Sequence, residues 1–260
     1  MNNLKFINNN QVPCFLCNDL SCTDDELKLV KKYNLQICDN VKDSNSFVFG
    51  AKNGALCMYR PCDGVKNGIF FDWKKQWKYH MKQNYAIRKE PLAKALGLRG
   101  DRLFNVWDFT CGTGKDSLLI LSFGAKISAF ERNSAISLLI RDALRVAKSD
   151  SALDAVLESR FDFYSADVID KQTVLPEKLP SVIYIDPMYP EKKKSAKSRK
   201  EMEFFKEIIG FDNDEKDLFK RASELVKRVV VKRPLHGGYI CGKPGISFKG
   251  KSTRYDVYIF

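Results

Sequence analysis

The stretch Asp186-Pro187-Met188-Tyr189-Pro190 begins with the carboxylate that closes the apolar run "SVIYID", which predicts a buried strand, and continues with an aromatic ring. These residue types suit methylation of a planar exocyclic amine. Because the lone pair of such an amine is spread into its ring, a carboxylate and a backbone carbonyl that accept its two hydrogens favour the attacking form. A tyrosine ring offers a face for an unstacked base. We therefore predict catalytic roles for Asp186, Pro187 and Tyr189, against a structural alternative in which Asp186 is a helix N-cap and Tyr189 a packing ring.

A block of cations follows this carboxylate. Its members, which we predict to bind RNA, are Lys192, Lys193, Lys194, Lys197, Arg199 and Lys200. A solvated charged loop is the usual fate of such a run. Beside a reactive carboxylate, however, the cations are placed to hold the phosphates that flank a flipped base. The net charge of +12 and the pI near 9.2 favour nucleic acid, an anionic membrane or acidic ligands as partners.

The sequence "DFTCGTGKD", which begins at Asp108, has the composition of a cofactor loop. Gly112 and Gly114 allow a tight turn, and Asp108 can accept hydrogen bonds from an ammonium group or order the loop. The loop is not a phosphate-binding P-loop, since the lysine precedes Asp116 rather than Ser or Thr. It also lacks the third glycine of the dinucleotide fingerprint, where Ser117 stands, and Asp116 would repel a pyrophosphate. A purely structural glycine turn is the alternative.

Two further acids follow predicted strands. Glu131 ends "KISAFE" and is placed to accept hydrogen bonds from both ribose hydroxyls of a nucleoside, while Asp167 follows the strand in "RFDFYSAD". An acid in the loop, an acid for the ribose and no phosphate site indicate S-adenosylmethionine (SAM) rather than NAD. No metal is required for the predicted chemistry.

Strands and helices alternate through the centre of the chain, which predicts a doubly wound, mostly parallel α/β sheet with ligands at the carboxyl ends of its strands. Pro91 is expected to start a helix that Gly97 ends. Residues 1–75 predict a small β-rich N-terminal region, and residues 76–260 a Rossmann-like domain. Predicted strands cover 105–110, 126–131, 160–167, 181–186 and 228–233, and predicted helices 115–124, 134–149, 200–209 and 214–227.

Composition limits the class of protein and the compartment that we expect. At 260 residues and 44% hydrophobic content, the chain supports a substantial core. No secretory leader and no run of eighteen apolar residues is recognisable, so we expect a soluble cytoplasmic protein with no membrane partner. Cys14, Cys17, Cys22 and Cys38 are irregularly spaced, which favours buried reduced thiols over a zinc site, and over disulfides still more.

The motifs together resemble the RsmJ family of bacterial methyltransferases, which modify the exocyclic N2 of a guanosine near the 3′ end of 16S rRNA. The resemblance runs from about Gly68 to Phe260, and its most specific parts are "DFTCGTGKD", "YIDPMYPEKKKSAKSRKEM", and "RVVVKRP" with the terminal "RYDVY". It implies a class I SAM-dependent fold, SAM as cofactor and 16S rRNA or the small ribosomal subunit as partner. An obligate protein partner is not expected. By this resemblance the SAM pocket is lined by Lys115, Asp116, Glu131, Arg132, Ala166, Asp167 and Asp186.

The sequence also departs from the family pattern. The glycine-rich and arginine-rich segment that usually precedes the first strand is here "HMKQNYAIRKEPLAKALG", and small polar residues usually stand where Ala166 and Asp167 do. Methylation of adenine N6 or of another rRNA guanine is the alternative within the same chemistry. Two alternatives come from other classes of protein. A noncatalytic RNA-binding protein is disfavoured by the intact acids Asp108, Glu131 and Asp186, and a dehydrogenase by the missing third glycine of the loop.

Overall fold

The computed structural model describes residues 14–16, 23–38, 47–98, 104–187 and 214–260. Its N-terminal part forms a four-stranded sheet in the order β2-β1-β3-β4. The elements are β1 (Cys14–Leu16), α1 (Asp24–Tyr33), β2 (Gln36–Cys38), β3 (Val48–Lys52) and β4 (Ala55–Tyr59). The predicted Asn-Gly turn is confirmed, with positive φ at Asn53 and Gly54 as a tight hairpin requires.

The α1 helix was not expected in a β-rich region. Its start follows from a capping box: the Thr23 hydroxyl accepts from the backbone N–H of Glu26, and the Glu26 carboxylate accepts from that of Thr23. Leu29 is buried while the lysines of the helix face solvent. The N-terminal sheet therefore carries a helix with ordinary amphipathic character.

The cysteine expectation is wrong for one pair. Cys14 and Cys38 form a disulfide rather than two reduced thiols. The physical reason is the parallel pairing of β1 with β2, which brings their Cα atoms to 6.2 Å. Cys57 and Cys111 are free and buried as expected. Cys17 and Cys22 lie outside the described residues.

Two helices precede the large sheet. The first, α2 (Trp73–Lys82), is capped by Asp72, whose carboxylate accepts from the Lys75 N–H at 3.0 Å. The second, α3 (Pro91–Leu96), starts at Pro91 and ends at Gly97, whose φ of 85° is left-handed. Both predicted boundaries of this second helix are confirmed.

The large sheet has seven strands in the order β10-β11-β9-β8-β5-β6-β7. Strands β5 to β9 run parallel, and β11 is antiparallel to both of its neighbours. This confirms the Rossmann-like class I fold with a mostly parallel sheet. Its elements are β5 (Asn105–Asp108), α4 (Lys115–Ser122), β6 (Lys126–Phe130), α5 (Ser134–Ala147), α6 (Ser151–Arg160), β7 (Phe161–Tyr164), β8 (Val182–Ile185), α7 (Glu215–Leu225), β9 (Arg228–Pro234), β10 (Ile246–Lys249) and β11 (Thr253–Ile259). The helix predicted over 200–209 lies outside the described residues.

The small sheet is fastened to the large one through buried Asp142 of α5. Its carboxylate accepts hydrogen bonds from the Leu56 N–H at 2.6 Å, the Tyr33 hydroxyl at 3.0 Å and the Arg145 Nε at 2.6 Å. One hydrophobic cluster runs from Phe49 through to the centre of the large sheet. A domain boundary near residue 75 stays a prediction.

None of the helices within the described ranges is long and apolar enough to cross a membrane.

Candidate active site

The candidate site lies at the carboxyl edge of the large sheet. Because β5, β6, β8 and β9 run parallel, the residues that follow them meet at this edge. Asp108 ends β5, Glu131 follows β6 and Asp186 follows β8. Three of the sequence-predicted acids are therefore brought to one edge by the strand order.

Asp108 is almost fully buried and orders the loop that follows β5. Its Oδ2 accepts from the Ser117 hydroxyl at 2.6 Å, and its Oδ1 accepts from the Thr110 N–H at 3.0 Å. Burial raises the pKa of Asp108 to about 7, although the bonds from Ser117 and Thr110 oppose that rise. Of the two roles predicted for Asp108, these contacts match ordering of the loop, and direct contact with SAM stays a prediction.

Thr110 connects the loop to the predicted catalytic carboxylate. The Asp186 N–H donates to the Thr110 hydroxyl oxygen at 2.6 Å, and the same hydroxyl lies 3.4 Å from Asp108 Oδ1. Pro187, which follows, is buried. The backbone at Asp186 is thus held by the same loop that is predicted to hold the cofactor.

The two glycines of the loop have different environments. Gly112 is partly exposed, and its N–H donates to Glu131 Oε2 at 3.0 Å. Gly114 is buried with a φ of 76°, and a Cβ there would lie 2.4 Å from Cζ2 of Trp73. The Trp73 indole also donates to the Thr113 carbonyl at 3.0 Å. Gly112 therefore faces the site. Gly114, by contrast, leaves room for the Trp73 ring of α2 to pack against the loop.

Glu131 is held rigidly by backbone groups. Its Oε2 accepts from Gly112 as above, and its Oε1 accepts from the Asn133 N–H at 2.8 Å. The Ala166 N–H and the Ser137 hydroxyl donate to its main-chain carbonyl, at 3.0 and 3.1 Å. Each carboxylate oxygen has more than one lone pair, so the side chain can still accept from a ribose hydroxyl.

A lysine joins two acids at the centre of the edge. Lys232 of β9 donates to Asp116 Oδ2 at 2.7 Å and to Asp186 Oδ2 at 2.8 Å. The Tyr184 hydroxyl also donates to Asp116 Oδ2, at 2.6 Å. Register explains the meeting, since Ile185 pairs with Val231 and the next residue of each strand is Asp186 and Lys232. Lys232 is 23% exposed and Asp186 36%.

The charges within this group set its protonation. Burial raises the pKa of Asp186, Lys232 opposes the rise and Asp116 adds to it, which gives a value of about 6. Burial also acts to raise the pKa of Asp116, but the Lys232 ammonium and the Tyr184 hydroxyl outweigh it and lower that pKa. Burial would lower the pKa of Lys232, yet the two carboxylates hold it well above its usual range. Lys232 is therefore charged at neutral pH.

Lys232 and Thr110 were not predicted as site residues. The signal for the lysine was its place in "RVVVKRP", where it is the first of two cations that follow a run of valines at the carboxyl end of a strand. Thr110 carried no such signal, because its role depends on the position of the Asp186 backbone.

The remaining predicted residues lie around this edge or outside the described part of the chain. Arg132 forms an ion pair with Asp214 at the start of α7. Asp167 accepts from the Ile169 N–H at 3.0 Å within its own turn, and Lys115 is exposed at the first turn of α4. Roles for Arg132, Asp167 and Lys115 in SAM binding stay predictions. Tyr189 and the block at Lys192, Lys193, Lys194, Lys197, Arg199 and Lys200 lie outside the described residues.

The chemistry of this edge fits SAM better than a dinucleotide. Carboxylates of Asp116, Glu131 and Asp186 would attract a ligand that carries a sulfonium and an ammonium group, and would repel a pyrophosphate. Glu131 provides the acceptors that a ribose requires. Among the described residues, no group of three or more His, Cys, Asp or Glu side chains could hold a metal ion.

Comparison with known proteins agrees with this geometry. A family model described as "Putative SAM-dependent methyltransferase" matches residues 28–260. Ribosomal RNA small subunit methyltransferase J from Aeromonas salmonicida is 35% identical over 77% of this chain and 81% of its own. Its counterpart from Actinobacillus pleuropneumoniae is 39% identical over 86% of this chain and 91% of its own. A crystal structure of a SAM-dependent methyltransferase from Neisseria gonorrhoeae covers 95% of both chains at 26% identity, with a TM-score of 0.70. The chain therefore belongs to the ribosomal RNA small subunit methyltransferase J family of SAM-dependent methyltransferases.

Proposed function

We propose that this protein methylates the exocyclic N2 of a guanosine near the 3′ end of 16S rRNA, in the small ribosomal subunit and in the cytoplasm. The observation that carries the proposal is the position of Asp186 at the end of β8, where its N–H donates to the Thr110 hydroxyl and its carboxylate accepts from Lys232. Support for the rRNA substrate comes from relatives named for small-subunit rRNA methylation. Support for the N2 atom comes from the resemblance of "DPMYP" and its flanking residues to the RsmJ family.

Residues of the loops after β5 and β6 would bind SAM and orient it. Glu131 would hold the ribose of SAM, and its bonds to Gly112 and Asn133 fix the direction in which it presents its oxygens. When bound, SAM supplies a methyl group on a sulfonium, which is a good leaving system. Residues of this chain then need to bring the amine into line with that methyl group.

Asp186 would orient the amine and take up its proton. Its carboxyl has a pKa of about 6 and is therefore mostly ionised at neutral pH. Because this pKa lies near pH 7, the carboxylate can accept a proton and release it again. Lys232 holds Oδ2 in place and keeps the side chain in one orientation. The backbone carbonyls beside Pro187 provide the second acceptor in the proposed arrangement.

A second candidate uses the same residues on another planar amine, either adenine N6 or a different rRNA guanine. The arrangement of Asp186 favours none of these by itself, since each amine offers the same two hydrogens. A noncatalytic RNA-binding role is disfavoured by the Lys232–Asp186 pair, because a partly buried ionic contact costs desolvation free energy that a purely RNA-binding surface does not require.

The test is methyl transfer to small ribosomal subunits that lack the modification, with labelled SAM. Wild-type protein should label the subunit RNA. Asp186→Asn should lose about 100-fold or more of the rate, since it removes the proton acceptor and keeps the shape of the side chain. Thermal stability of this variant should stay close to wild type, and SAM affinity should fall by much less than the rate, because Asp116 and Glu131 still attract the cofactor. A variant with the wild-type rate would remove the catalytic role of Asp186.

A further inference from the structure

Two loops meet at the catalytic edge beside Asp186. The first, residues 235–245, leaves the carboxyl end of β9 just after Lys232 and Pro234. The second, residues 250–252, joins β10 to β11 and returns to this edge because Thr253 pairs with Pro234. The Leu235 N–H donates to the Ser252 carbonyl at 3.1 Å, so the loops touch.

A buried arginine fastens the first loop. Arg254 is 7% exposed, and its Nε donates to both oxygens of the fully buried Asp256, at 2.8 and 3.0 Å. Its remaining nitrogens donate to the carbonyls of Leu235 at 3.2 Å and Gly238 at 3.4 Å. A buried ion pair with this many partners is strongly destabilised by loss of one member. Arg254 therefore ties the loop to β11 at two of its carbonyls.

This arginine also supports an exposed ring. The guanidinium carbon of Arg254 lies 4.6 Å from the centroid of the Tyr239 ring, within the range of a cation–π contact. Tyr239 nevertheless remains 49% exposed. A large aromatic side chain that is fixed on one side and left in water on the other has the form of a binding surface rather than of a core residue.

The segment that contains both loops carries side-chain charge of one sign. Residues 235–253 contain three lysines and no Asp or Glu. Lys249 and Lys251 are exposed, and they flank the turn that reaches the catalytic edge. An exposed ring on one loop and lysines on the loop that touches it form an arrangement by which proteins bind single-stranded nucleic acid, with rings that stack on bases and cations that contact phosphates.

We propose that Tyr239, supported by Arg254, stacks on a base of the rRNA next to the methylated nucleotide, while Lys249 and Lys251 contact the adjoining phosphates. This inference rests on the proposed rRNA substrate and adds the surface that holds it. It is independent of the lysine block after Pro190, because every residue in it is described by the structure.

The test compares Tyr239→Ala with Tyr239→Phe in the full chain. Phe260→Ala is the matched control, since Phe260 is 56% exposed and follows the end of β11 at the opposite edge. The readouts are KM and kcat for small ribosomal subunits, Kd for a short single-stranded rRNA fragment, and Kd for SAM. Loss of one stacked base costs about 1–3 kcal/mol, so Tyr239→Ala should raise the RNA Kd and KM about 5- to 150-fold. Tyr239→Phe and Phe260→Ala should leave both near wild type, and SAM Kd should not change.

A second variant tests the cations. Lys249→Gln with Lys251→Gln should lower the slope of log Kd against log salt by about 1.4, because each phosphate contact on a single strand contributes about 0.7. RNA affinities of Tyr239→Ala and of this double variant equal to wild type would overturn the inference. So would a fall in kcat with unchanged RNA affinity. If wild-type protein binds RNA through Tyr239 but methylates no RNA, the proposed methyltransferase function is contradicted and the proposed RNA-binding surface is retained.

Discussion

Lys232 is the residue on which the protonation of the site depends. It donates to the carboxylates of both Asp116 and Asp186 within 2.8 Å, and it is charged at neutral pH. Its positive charge lowers the pKa of Asp186, which burial and Asp116 would otherwise raise further. The lysine thus has a positioning role and an electrostatic role on the same carboxyl group.

This arrangement predicts a pH effect. If ionised Asp186 is needed, the rate should fall as pH drops through about 6. Lys232→Met removes the charge that favours ionisation, so the acidic limb of the kcat/KM profile should move to higher pH, by about 1–3 units. Lys227→Met, at an exposed lysine just before β9, is the control and should leave the profile in place. A Lys232→Met profile with an unmoved acidic limb would show that Lys232 does not govern Asp186.

At the residue scale, the sequence predicted the acids better than their partners. Asp186 and Glu131 were predicted because each ends an apolar run. Lys232 was not, because a lysine near a strand end ordinarily faces solvent, and only the register of β8 and β9 places it beside Asp186. Local sequence contains no information about that register.

At the scale of elements, the contact between α2 and the start of α4 determines the shape of the cofactor loop. Gly114 has a left-handed backbone, and the Trp73 ring occupies the space where a Cβ would stand. Close packing of this kind leaves little room for adjustment. The loop and the helix that carries Trp73 are therefore expected to be stable only together.

Two glycine substitutions separate packing from backbone strain. Gly114→Ala and Gly54→Ala have nearly the same φ, 76° and 74°, but nothing lies within 4 Å of a Cβ at Gly54. Both should lose about 1–2 kcal/mol from the left-handed backbone. Gly114→Ala should lose a further 1–3 kcal/mol, roughly, because the new methyl overlaps Trp73. Urea unfolding measures the difference, and equal losses would contradict the packing argument.

Elements with strong periodicity or clear end signals were predicted well. Pro91 and Gly97 bound α3 as expected, and the strands around Asp108, Glu131 and Asp186 were all found. The α1 helix was missed although "TDDE" contains its capping box, because the Asn-Gly turns nearby favoured a β interpretation of the whole region.

At the scale of the whole molecule, the mostly parallel fold followed from the alternation of strands and helices. The strand order did not, because the insertion of β11 between β9 and β10 depends on contacts far apart in sequence. The attachment of the N-terminal sheet through Asp142 could not be predicted from the sequence either, because Tyr33 and Leu56, which donate to Asp142, are 109 and 86 residues away from it.

The central claim is tested most directly by the identity of the methylated nucleoside. Wild-type protein would be incubated with methyl-labelled SAM and small ribosomal subunits from cells that lack its activity, and the RNA digested to nucleosides for chromatography and mass analysis. The account predicts label in N2-methylguanosine alone, from the 3′ region of 16S rRNA. Label in N6-methyladenosine would contradict the substrate while keeping the chemistry at Asp186, and no label in RNA despite SAM binding would contradict the proposed function itself.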